Sequence, residues 1–302
     1  MQLPLPLKKG DKIGLVCTAR LIKPEQLDPA LQLFKEWDYS VVVGQTIILR
    51  HHQFAGTDAE RIADFQRMLD NPEIKAIICA KGGYGTVRIL DRLDFTKFKK
   101  NPKWIVGFSD ITALHSHLHK NYEIPTLHAP MPSTYKFSTD AAIESLKNAL
   151  TGKSLNYRVK NHPFNRTGKA EATLIGGNLS VIYSLLGSNS DISTDGKILF
   201  IEDLDEYLYH IDRMVVNLKR SGKLAKLAGL IVGGMTDMKD NDTPFGKDGE
   251  EIIAEHTAEY DYPISFGFPA GHWKDNQALI LGAKASLHVK NSKVEFSQKQ
   301  KK

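Results

Sequence analysis

Cysteine is almost absent from this chain. Of its 302 residues only Cys17 and Cys79 are cysteine. Each lies inside an apolar run, which points to buried free thiols and excludes a disulfide framework. Long hydrophobic runs are missing as well. None approaches the roughly 20 apolar residues of a membrane-spanning helix, so no membrane partner is expected. The first ten residues, Met1 to Gly10, show no apolar segment followed by a small-residue cleavage site, and the cytoplasm is the expected compartment. A strong excess of one charge is lacking too. The net charge of +5 is mild, and part of it belongs to the tail from Gln298 to Lys302. That balance suits a small anionic substrate and does not imply nucleic acid. Metal-ligand spacing is absent too. His115 and His119 stand i,i+4 and read as surface or half-buried helical histidines rather than a metal pair, so no metal site is expected.

An apolar fraction of 41% over this length suits two domains with substantial cores. In the first half, strand-like runs alternate with helical patterns. The strands are expected at Lys12 to Ala19, Val41 to Val43, Ile74 to Ala80, the run before Ser109, and Thr126 to Pro130. A capping box at Thr57-Asp-Ala-Glu60 opens a helix whose expected apolar side is Ile62, Phe65 and Leu69. This alternation predicts a parallel sheet covered on both faces. Between residues 152 and 169 turn formers gather, namely Gly152, Asn156, Asn161, Pro163, Asn165 and Gly168. That stretch is expected to be a linker between an N-terminal domain, 1–151, and a C-terminal β/α domain, 170–302. In the second half, Lys197 to Asp203 reads as a strand ending in acids, Tyr207 to Arg220 as a helix, and Ala228 to Gly234 as another strand. A polar loop, Asp237 to Gly249, follows.

Ligands of parallel sheets bind beyond the carboxyl ends of the strands. Two turns fall at that edge, Gly82-Gly-Tyr-Gly85 and Gly107-Phe-Ser-Asp110. A serine on a strand-to-helix turn is either a plain helix cap or an exposed nucleophile beside free amides. A nucleophile needs a base on a mobile side chain and an acid to orient it. His272 is the loop histidine that follows Pro269-Ala-Gly271. Glu202 ends a very apolar strand, where a carboxylate without a partner is costly. Asp205 and Glu206 instead suit the start of the next helix. The expected order is therefore serine, acid, histidine, with the site between the domains.

These residues carry a resemblance. Gly82-Gly-Tyr-Gly85 with Arg88, Gly107-Phe-Ser-Asp110, Ile201-Glu-Asp203, and Gly271-His272 with Asn276 and Leu281-Gly282 together resemble the LD-carboxypeptidases, a family of serine peptidases that includes the muramoyltetrapeptide carboxypeptidases. The likeness runs from about Lys12 to Leu287. It implies an N-terminal glutamine-amidotransferase-like α/β domain and a C-terminal swivelling β/α domain. It also implies a homodimer without cofactor or metal. By matched motif the triad is Ser109, Glu202 and His272, and the oxyanion donors are the amides of Gly83 and Asp110. Arg88 is a candidate for the substrate carboxylate, and Tyr84 for the pocket wall. The implied reaction releases a C-terminal D-alanine from a murein tetrapeptide during cell-wall recycling. A second branch of the family cleaves peptidyl-nucleotide antibiotics for self-immunity. A reading from another class is a non-enzymatic α/β protein that binds a small ligand in its cleft.

Overall fold

The computed structural model describes residues 3–300. Five strands of the first half form a parallel sheet: β1 (Lys12–Val16), β2 (Ser40–Val43), β3 (Ile74–Cys79), β4 (Trp104–Gly107) and β5 (Thr126–His128). Their spatial order is β5-β4-β3-β1-β2. The inner strands are buried almost throughout, as continuous apolar runs require, while β2 is a half-exposed edge.

The helix Asp58–Asp70 starts at the expected capping box, with Thr57 and Glu60 bonded reciprocally. Its buried face differs from the expected one. Arg61, Asp64, Phe65, Met68 and Leu69 are buried, while Ile62 is only partly covered. Two charges tolerate burial there because each is satisfied. Arg61 donates to the carbonyls of Thr18 and Gly85. The Asp64 carboxylate accepts from the amide and hydroxyl of Thr46 at 2.9 and 2.7 Å.

The second half adds β6 (Leu155–Lys160), β7 (Gly168–Asn178), β8 (Ile198–Leu204), β9 (Gly229–Thr236), β10 (Ile264–Ser265), β11 (Leu279–Leu281), β12 (Lys284–Val289) and β13 (Lys293–Gln298). All but β11 build a seven-stranded sheet in the order β10-β9-β8-β7-β12-β13-β6. The run β7 to β10 is parallel, and β12, β13 and β6 are antiparallel.

Two expectations change here. The stretch 152–169 is not simply a linker, because β6 lies within it and pairs with β13. Leu155 and Tyr157 point inward while Asn156 and Arg158 are exposed, the alternation of a half-buried strand. The first sheet also gains a strand from the far end of the chain. β11 pairs antiparallel with β5, setting Leu279 opposite His128.

The two halves share a core. Ile198 and Phe200 of β8 join Trp104, Val106, Leu127, Phe268 and Leu279 in one apolar cluster. The alternate residues Leu199 and Ile201 pack into a second cluster with Ile211, Met214 and Val215 of the helix Leu208–Arg220. Period-two alternation along β8 thus carries the next residue of the Phe200 set, Glu202, towards the first half.

Candidate active site

Ser109 sits on the turn between β4 and a helix. The turn runs through a 3-10 segment, Ser109–Ile111, into the α-helix Thr112–Tyr122. Ser109 has φ +63°, a left-handed conformation that a side-chain-bearing residue adopts only when its surroundings hold it there. Several bonds hold it. The Asp110 carboxylate accepts from the amides of Thr86 at 2.9 Å and Gly85 at 3.3 Å, which fastens the serine turn to the glycine turn. His115, six residues on, bonds through Nε2 to the carbonyl of Gly107 at 2.9 Å. Burial drives the pKa of His115 down to about 3, so the neutral ring donates this bond.

The glycine turn stands directly against the serine. A methyl group on Gly82 would come within 3.2 Å of Ser109 Cβ and 3.4 Å of its Oγ. Gly83 has φ +107°, and its amide donates to no other group among the described residues. Asp110 lies in the first turn after the serine, where amides lack an intrahelical acceptor. The glycine turn thus lies against Ser109 through Gly82, and Asp110 follows the serine directly.

Glu202 and His272 meet. His272 Nδ1 lies 2.6 Å from Glu202 Oε2, and the His272 amide donates to the same oxygen at 3.2 Å. Glu202 is fully buried. The ladder between β8 and β9 shifts register between Ile201 and Asp203, a bulge that falls at the acid itself. Gly271 makes the close approach possible. It has φ +105°, and a Cβ there would press to 2.7 Å from Glu202 Cβ.

Burial opposes ionisation of Glu202, but the His272 charge and hydrogen bond, with His128 nearby, outweigh it and hold the carboxyl below its ordinary value. Burial likewise disfavours the His272 cation. The Glu202 charge and hydrogen bond, with Asp203 behind them, outweigh it and raise His272 above its ordinary value. Nδ1–H is committed to Glu202, so Nε2 is the nitrogen left to accept a proton. The His272 ring packs 4.8 Å from the ring of Phe108, the residue before Ser109. No hydrogen bond joins Ser109 to His272 among the described residues.

Behind the pair lies a layer that sequence reasoning did not assign. Asn276 Oδ1 accepts from the Gly271 amide at 2.8 Å and bonds His128 Nε2 at 3.1 Å. His128 is fully buried, and burial lowers its pKa to about 4. The signal available was a histidine inside the apolar strand Thr126 to Pro130, which demands a buried partner. Arg88 is committed elsewhere. Its guanidinium bonds Asp58 twice, at 3.1 and 2.8 Å, so its expected role at the substrate carboxylate meets a competing partner. Tyr84 is about half exposed beside the turn, its ring 6.3 Å from that of Phe54. Among the described residues no cluster of histidine, cysteine and acid fits a metal ion, and no helix is long and apolar enough to cross a membrane.

A parallel α/β sheet with a strained serine turn, docked on a β/α unit that presents a buried carboxylate–imidazole pair, defines a two-domain hydrolase of the serine type. Two family models refine that class. One described as the LD-carboxypeptidase N-terminal domain matches residues 13–129, and one described as the LD-carboxypeptidase C-terminal domain matches residues 171–287. The chain belongs to the LD-carboxypeptidase family and is a serine-type carboxypeptidase. It is 37% identical to a probable murein peptide carboxypeptidase of Bacillus subtilis, over 95% of this chain and 91% of the relative. It is 27% identical to the murein tetrapeptide carboxypeptidase of Pseudomonas aeruginosa, over 91% and 92% of the two chains. The crystal structure of a muramoyltetrapeptide carboxypeptidase from Oxalobacter formigenes superposes with a TM-score of 0.85 at 28% identity, covering 95% of this chain and 98% of that one.

Proposed function

We propose that this protein hydrolyses the L,D peptide bond before the C-terminal D-alanine of murein tetrapeptides, with Ser109 as nucleophile, His272 as general base and Glu202 as its orienting acid. One observation carries the assignment of roles: the 2.6 Å bond between His272 Nδ1 and a buried Glu202, which leaves Nε2 as acceptor beside the serine turn. In the first step Ser109 Oγ attacks the carbonyl carbon and Nε2 takes the hydroxyl proton. The resulting oxyanion accepts from the amides of Gly83 and Asp110; losing one such donor typically costs about a hundredfold or more in rate. Collapse expels the D-alanine amine, which leaves with the proton from Nε2. Water then repeats the sequence on the acyl-enzyme and restores the serine. No step needs a cofactor.

The two halves divide this work. The first half, up to residue 151, brings the nucleophile and both amides, and the second half, whose sheet includes β6, brings the acid and the histidine. Two buried, unpaired cysteines suit the reducing cytoplasm, where murein fragments are recycled. The assembly is a homodimer, as the family likeness implies, and light scattering tests it.

The activity is tested with purified protein and a peptide panel read by mass spectrometry. The expected result is loss of a single alanine from the tetrapeptide and none from its epimer that ends in L-alanine. A peptidyl-nucleotide substrate stays intact. Cleavage of the peptidyl-nucleotide with the tetrapeptide untouched contradicts the proposal and assigns the self-immunity reaction instead.

A further inference from the structure

A carboxypeptidase must recognise the free carboxylate of its leaving residue. That carboxylate lies about one residue length, roughly 3.8 Å, beyond the scissile carbonyl. Its counter-charge must therefore stand close to the glycine turn and Ser109. Four cations stand near this turn: Arg20, Lys81 directly before Gly82, and Arg61 and Arg88, which are engaged. Arg61 is buried and spends its donors on the carbonyls of Thr18 and Gly85 and on the Asp58 carboxylate. Arg88 is bonded twice to that same Asp58.

Arg20 differs. It follows β1, whose neighbour β3 leads into the glycine turn, so the two loops lie side by side. Its backbone is fixed there by its own amide bond to the Gly82 carbonyl at 3.4 Å and by a bridge to Phe54. Its side chain lies across Gly83. A Cβ on that glycine would meet Arg20 Cδ at 2.5 Å, Cγ at 2.7 Å and Nε at 3.1 Å. Gly83 thus serves twice, by its left-handed φ of +107° and by leaving room for the arginine. The Arg20 side chain is exposed and forms neither an ion pair nor a hydrogen bond among the described residues.

We propose that Arg20 binds the C-terminal carboxylate of the substrate, and so makes this site an exopeptidase. The inference rests on the carboxypeptidase reading above. A guanidinium offers paired donors in the plane that a carboxylate presents, and the glycine backbone beneath Arg20 holds that fork over the oxyanion turn.

The test compares one tetrapeptide as free acid and as C-terminal amide, in wild type and in the variants Arg20→Met, Arg20→Lys, Arg88→Met and Lys81→Met. Wild type prefers the acid. Arg20→Met loses about 10- to 100-fold in kcat/KM on the acid, mainly through KM, and changes little on the amide. Arg20→Lys keeps part of the preference. Arg88→Met and Lys81→Met keep the wild-type preference. A merely structural role for Arg20 would lower both substrates alike, and that result overturns the proposal. So does an unchanged preference in Arg20→Met, or its collapse in Lys81→Met or Arg88→Met. A wild-type protein that releases nothing from either peptide overturns the carboxypeptidase reading and this inference with it.

Discussion

Ser109 holds a backbone angle that costs of order 1–3 kcal/mol for a residue with a side chain. The structure around it meets that cost through bonds to its neighbours, Asp110 and His115, rather than through the serine itself. His272 is tuned in the opposite sense to the buried histidines nearby. Burial lowers His115 and His128, whereas the Glu202 charge lifts His272 above 6.5. Only the neutral ring acts as base, so its population grows as pH rises through that raised value. The acid limb of kcat/KM therefore lies on the high side of the ordinary histidine range. Glu202→Gln removes the charge that favours the cation. The limb then moves to lower pH, and the rate falls roughly 10³- to 10⁴-fold on its plateau, because the imidazole loses its tautomer and orientation. A pH–rate profile checks this. An unshifted limb in Glu202→Gln would contradict the pairing.

At the scale of elements, three glycines and a bulge do the positioning. Gly82 faces Ser109, Gly83 lies under Arg20, and Gly271 lets Glu202 close on His272. The bulge at Glu202 interrupts the β8–β9 ladder where the acid must turn. Asn276 ties the His272 turn to β5 through His128. Asn276→Ala leaves the Gly271 amide and the His128 ring as unpaired buried donors, at about 1–3 kcal/mol each. The turn loosens, kcat falls roughly 10- to 100-fold, and KM changes less. Steady-state kinetics decide between this and a purely structural part for Asn276, which would lower the melting temperature and leave kcat intact.

Much of this was legible in the sequence, for physical reasons. Apolar runs punctuated by glycine located the strands of the first sheet. Glu202, the first acid after a very apolar strand, marks a carboxylate that needs a partner. What escaped depended on distant partners. Nothing local in Leu279 to Leu281 says that it pairs with β5 rather than within the second sheet. The turn formers between 152 and 169 masked the alternation of Leu155 to Lys160. Arg61 lies outside the expected apolar side of Ile62, Phe65 and Leu69, and the carbonyls that it satisfies come from two other loops. Arg88, a candidate for the substrate carboxylate with Asp91 and Asp94 as nearby acids, bonds Asp58, thirty positions away.

For the whole molecule, docking completes the site. The apolar cluster passes from Trp104 and Leu127 into Phe200 and Phe268 without a break between the halves. At the seam the Asn178 amide donates to Thr112 Oγ1 at 2.9 Å, three residues beyond the nucleophile, and Thr139 Oγ1 donates to Asp275 at 2.7 Å, three residues beyond His272. An interface with this much shared core fixes the halves more firmly than the polar contacts usual between domains. Ser109 of one half and His272 of the other are thereby held in set positions at the seam, where the His272 ring lies 4.8 Å from that of Phe108.

The most direct measurement is D-alanine release from murein tetrapeptide by wild type, Ser109→Ala and His272→Ala, each checked for an unchanged melting temperature. The account predicts release by wild type and a loss of at least about 10³-fold in each variant, the two acting as one unit across the seam. Release at the wild-type rate by either folded variant would contradict it.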